Sequence, residues 1–288
     1  MSTVSEDTRP ARGTTPPPPR NGNSSRRFDH NSKVAVGVGI VVVGAVTLGL
    51  WELAAVRGLI DPTFSGQPTG IAASLVDGVR GDLLTVDAVY TTLATVLGFL
   101  GASVLGIFAA FALAQMPYAR KVLSPYLTAL NSLPRIALAP LFVIWFGIGL
   151  LSHVVMAASL TFFVVFANTM AGIESVDRDH LLLARLQGAS RAQTFVRFVI
   201  PSALPSMFVG LELGFIFGML GTVAGEMIAG EHGLGVRLQK DAGVFATDSY
   251  FATLILLVVI TSLISQVFQL VKRRLLRWQT VHLVSSTE

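Results

Sequence analysis

Cysteine is absent from the 288 residues, which rules out disulfides, thiol nucleophiles and cysteine-ligated metals. Charge is scarce: 13% of the residues are Asp, Glu, Lys or Arg, where a soluble domain carries about 25%. No G-x-x-x-x-G-K-[ST] loop occurs, so the chain cannot bind ATP by that device. Neither a G-x-S-x-G elbow nor an H-E-x-x-H pair is present. The histidines at 30, 153, 180, 232 and 282 are scattered, without the spacing of metal ligands. No catalytic constellation is expected, and no cofactor bound by this chain.

What the chain has in abundance is apolar surface. Hydrophobic residues make up 52% of it and the mean hydropathy is +0.66, values that suit a bilayer. Stretches near the roughly 20 residues needed to cross one occur at Val34–Ala55, Val89–Ala114, Val122–Leu150, Val154–Ile173, Ala203–Ala229 and Tyr250–Val271. The expectation is an all-α, polytopic membrane protein with six transmembrane helices. The third stretch contains Pro134 and Pro140 and is expected to kink, or to begin with a short interfacial helix. Residues 1–33 are polar and rich in Ser, Arg and Pro, and read as a disordered tail. A signal peptide competes with this reading, but the apolar run that follows exceeds the roughly 7–15 residues of a signal core. Domain 34–278 is expected to be the membrane part, with 279–288 a short C-terminal tail.

Lys and Arg in short loops set orientation. With six spans, sixteen basic residues fall on one side: the tail, Arg120 and Lys121, the loop from 177 to 202, and the C-terminal Lys272, Arg273, Arg274 and Arg277. Four fall on the other: Arg57, Arg80, Arg237 and Lys240. Both termini are therefore expected in the cytoplasm. The same distribution explains the basic pI of 9.8 without a nucleic-acid partner.

The loop from about 177 to 202 contains "GASRAQTFVRFVIPSALP". Asp179 is expected to cap a short helix, His180 to Gln187, ended by Gly188 in a left-handed conformation. Ser190 and Gln193 form a capping-box pattern for a second helix, Arg191 to Val199, which Pro201 and Pro205 are expected to stop before the fifth span. Such a loop suits an amphipathic connector lying on membrane lipid. It equally suits a corner inserted into another protein.

Inside the spans, Gly210, Gly214 and Gly218 recur every fourth residue and mark a face for close helix packing. Gly98, Gly101 and Gly106 are expected to do the same in the second span. Glu212, Met219 and Glu226 share one stripe roughly opposite Gly214. An acid deep in a bilayer normally faces protein or water, so this stripe, with Arg135, Asn131 and Asn168, supplies candidates for a solute pathway. Glu226, near the outer mouth, could instead meet a partner or only the interface. Arg135 is the one basic residue well inside a span. It either snorkels, faces solute, or pairs with Glu212.

Several of these residues together resemble a known family. Ala184, Arg185, Gly188, Ala189 and Ser190, with Phe195, Pro201 and Pro205, are similar to the cytoplasmic loop of ABC importer permeases. "NSLPRIALAPLFVIWFGIGLLSH" resembles the third-span signature of their nitrate, sulfonate and taurine subfamily, and "GEMIAGEHGLGVRL" its fifth-span ending. The resemblance runs from about Leu59 to Trp278. It implies the type I importer fold and a homodimer in the bacterial inner membrane. It also implies a cytoplasmic ATPase dimer holding ATP and magnesium, and an external substrate-binding protein. In that family the loop around Gly188 is the coupling helix seated on the ATPase. The solute implied is a small oxyanion such as nitrate, a sulfonate such as taurine, or bicarbonate. Relatives that carry vitamin or pyrimidine precursors keep that alternative open. Leu182 stands where the family often has Glu, and Arg135 where it usually has Pro. A stand-alone secondary transporter or channel is the rival class. It would need ion-coupling sites or inverted repeats, and no convincing internal repeat is present.

Overall fold

Helices that are apolar on every side follow from long runs of Leu, Val, Ala, Phe and Gly with no polar stripe. In the computed structural model, which describes residues 30–276, every regular element is helical. The chain divides into two units, one ending at Gly49 and the other beginning at Leu50. The first carries most of α1 (His30–Val56), a helix that begins ahead of the expected Val34. The expected tail up to residue 29, and residues 277–288, lie outside the described residues.

In the second unit, Asp61 caps the short α2 (Pro62–Ser65) by accepting from the Thr63 N–H at 2.9 Å. After it come α3 (Pro68–Arg80) and the long α4 (Leu83–Gln115). The third apolar stretch departs from a single span. It forms α5 (Pro117–Ser132), a 3-10 turn at Arg135–Leu138, and α6 (Ala139–Phe146), with a bend of 80° between the two halves. Proline explains the break. Pro134 forces Leu133 into the extended region (φ −65°, ψ 134°), where a helix cannot continue. Pro140 sits in the first turn of α6, where its missing N–H has no intrahelical role. Five described helices are long and apolar enough to cross a bilayer, six if this bent pair counts as one.

The core is built around α7 (Leu150–Glu174), flanked by α4 and α10 (Ile200–Ala229). Small residues bring these helices together. A Cβ on Gly210 would meet that of Asn168 at 2.6 Å, one on Gly214 the Val165 Cγ2 at 2.7 Å, and one on Gly218 the Thr161 Oγ1 at 2.7 Å. Gly221 and Gly225 extend this contact along α7. On the other flank Gly98 and Gly106 approach the α7 backbone, whereas Gly101, expected to join them, has no neighbour within 4 Å of its Cβ position. It lines an open groove that α4 shares with Val154, Ala158 and Phe162 of α7.

Between α7 and α10 lie α8 (Arg178–Leu186) and α9 (Arg191–Thr194). Pro201 and Pro205 do not stop the helix here. A π turn at Phe195–Val199 carries it through, so that residues Arg191–Ala229 run as one helix of 39 residues. The Ile200 N–H donates to Phe195 O, five residues back, and this widened turn makes room for the Pro201 ring. At the opposite end, α11 (Leu234–Gly243) folds back on α10, and α12 (Thr247–Leu275) closes the unit.

Candidate functional site

The loop from 177 to 202 is built by local chemistry. Asp177, rather than the expected Asp179, caps α8: its carboxylate accepts from the Asp179 N–H at 2.9 Å. Sequence favoured Asp179 by placing the helix start two residues late. At the other end the Ala189 N–H donates to Ala184 O at 3.0 Å, the six-to-one bond of a Schellman motif. That motif requires a left-handed residue, supplied by Gly188 at φ +78°. The Ser190 Oγ accepts from the Gln193 N–H at 3.2 Å and Gln193 Oε1 from the Ser190 N–H at 2.9 Å, a complete capping box. Two helix ends thus meet at a corner of Gly, Ala and Ser.

Ala184 is buried, while Leu182, Leu183 and Leu186 stand exposed on α8. The backbone of Arg185 belongs to α8; its side chain lies outside what is described. A concavity of about 530 Å³ opens between the two arms, lined by Leu181, Ala189, Arg191 and Phe195 among others. Phe195 packs edge-on against Phe111 of α4, ring centres 5.3 Å apart, and so ties the corner to the helical core.

The broken third span holds the second group of expected residues. Arg135 Nη2 donates to Asn131 Oδ1 at 2.7 Å, to Asn131 O at 3.1 Å and to Leu130 O at 3.4 Å. The guanidinium also stacks on Phe163, 4.3 Å from the ring centre. No ion pair joins Arg135 to Glu212: that acid accepts from Gln269 Nε2 of α12 at 3.2 Å. The ion pair found among the described residues is Arg120–Glu174, between the start of α5 and the end of α7.

The stripe of Glu212, Met219 and Glu226 does lie away from the glycine face of α10, but it turns into the chain, toward α12, α4 and α11. Met219 and Glu226, expected as pathway candidates, are both buried within the chain. Met219 is buried with Phe99, Phe215 and Leu257. Glu226 is fully buried; its Oε2 accepts from Thr91 Oγ1 at 3.0 Å and from the Gly235 N–H at 2.8 Å. Thr91 Oγ1 in turn accepts from the Leu234 N–H at 2.8 Å, and Asp87 Oδ1 from the Gly233 N–H at 3.0 Å. These bonds satisfy the N-terminal donors of α11, which otherwise lack partners.

Residues 102–278 match the family described as the binding-protein-dependent transport system inner membrane component. The chain belongs to that family. It is 32% identical to the taurine transport system permease protein TauC of Escherichia coli over 88% of this chain and 92% of that one. To the riboflavin transport system permease protein RibX of Chloroflexus aurantiacus it is 36% identical, over 58% of this chain and 62% of the other. To the formylaminopyrimidine transport permease protein ThiX of Halalkalibacterium halodurans it is 30% identical, over 80% and 91%. Among solved structures, an amino acid ABC transporter matches with a TM-score of 0.56 at 22% identity, covering 69% of this chain and 97% of that chain. The inward-facing MetNI methionine ABC transporter also matches at 0.56, with 19% identity, covering 66% and 95%. Both share the fold of an importer permease.

The permease is thus an all-α, multi-pass membrane protein whose family works with ATPase and substrate-binding partners. Its loop residues Ala184, Gly188, Ala189 and Ser190 come together at one corner, and Arg135 and Asn131 at another place, the break in the third span. Of the residues that hold α11 in the permease, Thr91 and Asp87 went unnoticed in the sequence, while Gly233 and Gly235 stood in the fifth-span motif without a role of their own. One signal was there: an acid at the end of an apolar span, Glu226, followed by G-x-G seven residues on. A Cβ on Gly233 or Gly235 would run into Glu226, so the carboxylate and the glycines belong to one packing unit. Gly233 also has φ +114°, a conformation that excludes most side chains.

Proposed function

We propose that this permease forms the translocation pathway of an ATP-driven importer, and that the Gly188 corner couples it to a separate ATPase in the cytoplasm. The observation that carries the reading is continuity. The capped corner leads without interruption into 39 helical residues, about 58 Å at helical rise, which span the membrane and end at α11. A push on the corner therefore displaces a single rod packed along α7. Exposed Leu182, Leu183 and Leu186 offer the apolar contact that a partner cleft would bury. ATP and magnesium belong to that partner, in keeping with the missing phosphate loop.

The rest of the assembly follows from the same family. A second copy of the permease completes the pathway, both termini are cytoplasmic, and a substrate-binding protein delivers solute to the outer face formed by α2, α3 and α11. Similarity to the taurine permease TauC supports a small oxyanion, a sulfonate before nitrate or bicarbonate. Similarity to RibX and ThiX favours a second reading, import of a vitamin or pyrimidine precursor, and uptake assays with taurine and riboflavin separate the two.

Gly188→Val tests the coupling. Space is not the obstacle, since no atom lies within 4 Å of the Cβ position. The strain is in the backbone, where a β-branched residue resists positive φ. The variant should insert and fold yet lose transport and co-purification with the ATPase, while Gly188→Asn, which tolerates that conformation, retains both. Full transport by Gly188→Val would end the proposal.

A further inference from the structure

The break in the third span leaves a cation without a counter-charge. Among the described residues, every group that touches Arg135 is neutral: two backbone carbonyls, the Asn131 amide and the Phe163 ring. Glu212 is engaged by Gln269 instead. Depth makes this costly. Phe163 stands 11 residues before Glu174 on α7, about 16 Å at helical rise, close to the middle of a hydrocarbon core of roughly 30 Å. A charge at that depth faces a cavity or a partner. Backbone that leaves the helix there, as at Leu133 and Pro134, is tolerated only in protein or against a water-filled space. Discontinuous helices at the midplane are where transporters place solute.

A cavity of about 220 Å³ adjoins this point. Arg120, paired with Glu174, and Ser124, Thr128 and Asn131, spaced to share one face of α5, form its polar wall, and Phe163 and Phe166 of α7 its apolar one; Arg135 stands at its edge, on Asn131 and Phe163. The geometry points to a solute subsite within the permease itself: Arg135 holds the head group of a small organic anion, with the alkyl stem along Phe163 and Phe166. The permease then contributes to selection, in addition to the binding protein. This inference rests on the reading of the chain as a permease for small oxyanions.

The test is equilibrium binding of radiolabelled butanesulfonate to the purified full-length permease in nanodiscs, without binding protein. The wild type should bind saturably, with nitrate a weaker competitor because it lacks a stem. Arg135→Gln should weaken binding about tenfold or more. Arg135→Lys should fall between, since it keeps the charge and loses the planar, stacked fork. Should Arg135→Gln not fold, Asn131→Asp carries the test: it sets a carboxylate against the guanidinium without removing it, and the same loss is expected. Absence of saturable binding by the wild type, or wild-type affinity in Arg135→Gln or a folded Asn131→Asp, overturns the subsite. Nitrate competing as strongly as butanesulfonate overturns the place of the stem. Whole-cell uptake keeps the two levels apart. Cells that import riboflavin and no sulfonate refute the oxyanion reading, whereas sulfonate uptake with an unchanged KM in Arg135→Gln refutes this subsite alone.

Discussion

Glu226 offers the sharpest test of the packing argument, through the contrast between Glu226→Gln and Glu226→Ala. Both variants remove the ionisable group, so whatever desolvation the carboxyl costs cancels from their difference. Gln can place its amide oxygen where Oε2 now accepts from Thr91 Oγ1 and the Gly235 N–H. Its NH₂ then takes the site of Oε1, which has no hydrogen-bond partner. Ala leaves the Gly235 N–H buried and unpaired, at about 1–3 kcal/mol. The Thr91 hydroxyl can recover by turning onto its own helix, as Thr95 Oγ1 does on Thr91 O at 2.8 Å. The space left by the lost side chain adds about 1 kcal/mol at roughly 24 cal/mol per Å³. The expected gap is therefore about 3 kcal/mol, with Gln close to wild type. Equilibrium unfolding of the purified permease in mixed detergent and SDS micelles measures it, and tryptic cleavage at Arg237 or Lys240 reports whether α11 has come loose. Equal destabilisation by Gln and Ala would mean that the charge itself is needed and that the hydrogen bonds from Glu226 to α11 are misread. An Ala variant as stable as wild type would refute them as well.

Two further outcomes are expected. Gly218→Ala should cost about 1–3 kcal/mol by overpacking, because Thr161 Oγ1, 2.7 Å from the new Cβ, is itself held by donating to Gly214 O at 2.9 Å; Gly101→Ala should be neutral or gain up to about 1 kcal/mol of helix propensity, and the same unfolding assay compares them. Because the chain has no cysteine of its own, Ser65→Cys and Lys240→Cys should react with an impermeant maleimide on intact cells, and Gln187→Cys only after permeabilisation; the reverse pattern would overturn the orientation inferred from Lys and Arg.

Much of this protein was legible in one dimension because the bilayer simplifies the physics. With no water to satisfy the backbone, an apolar run must become a helix, so class and span positions followed from hydropathy alone. The corner at Gly188 was equally readable, since Schellman and capping-box bonds join residues within five positions of one another. The glycine face of α10 followed from helical periodicity. The errors of the sequence reading were local in the same sense: Asp177 was passed over for Asp179, and the prolines at 201 and 205 were read as stops, whereas a π turn makes room for Pro201 and Pro205 lies within α10.

What only the tertiary structure decided are contacts between residues far apart in the chain. Glu226 meets Thr91 across 135 residues and Glu212 meets Gln269 across 57. No periodicity in α10 could say whether its acidic stripe faced a pathway or the neighbouring helices α4, α11 and α12. The same holds for Arg135, which stacks on Phe163 rather than pairing with an acid. A helix specifies which residues share a face; the partner of that face is chosen by packing, because lipid and protein are almost equally apolar and the hydrophobic effect does not distinguish them.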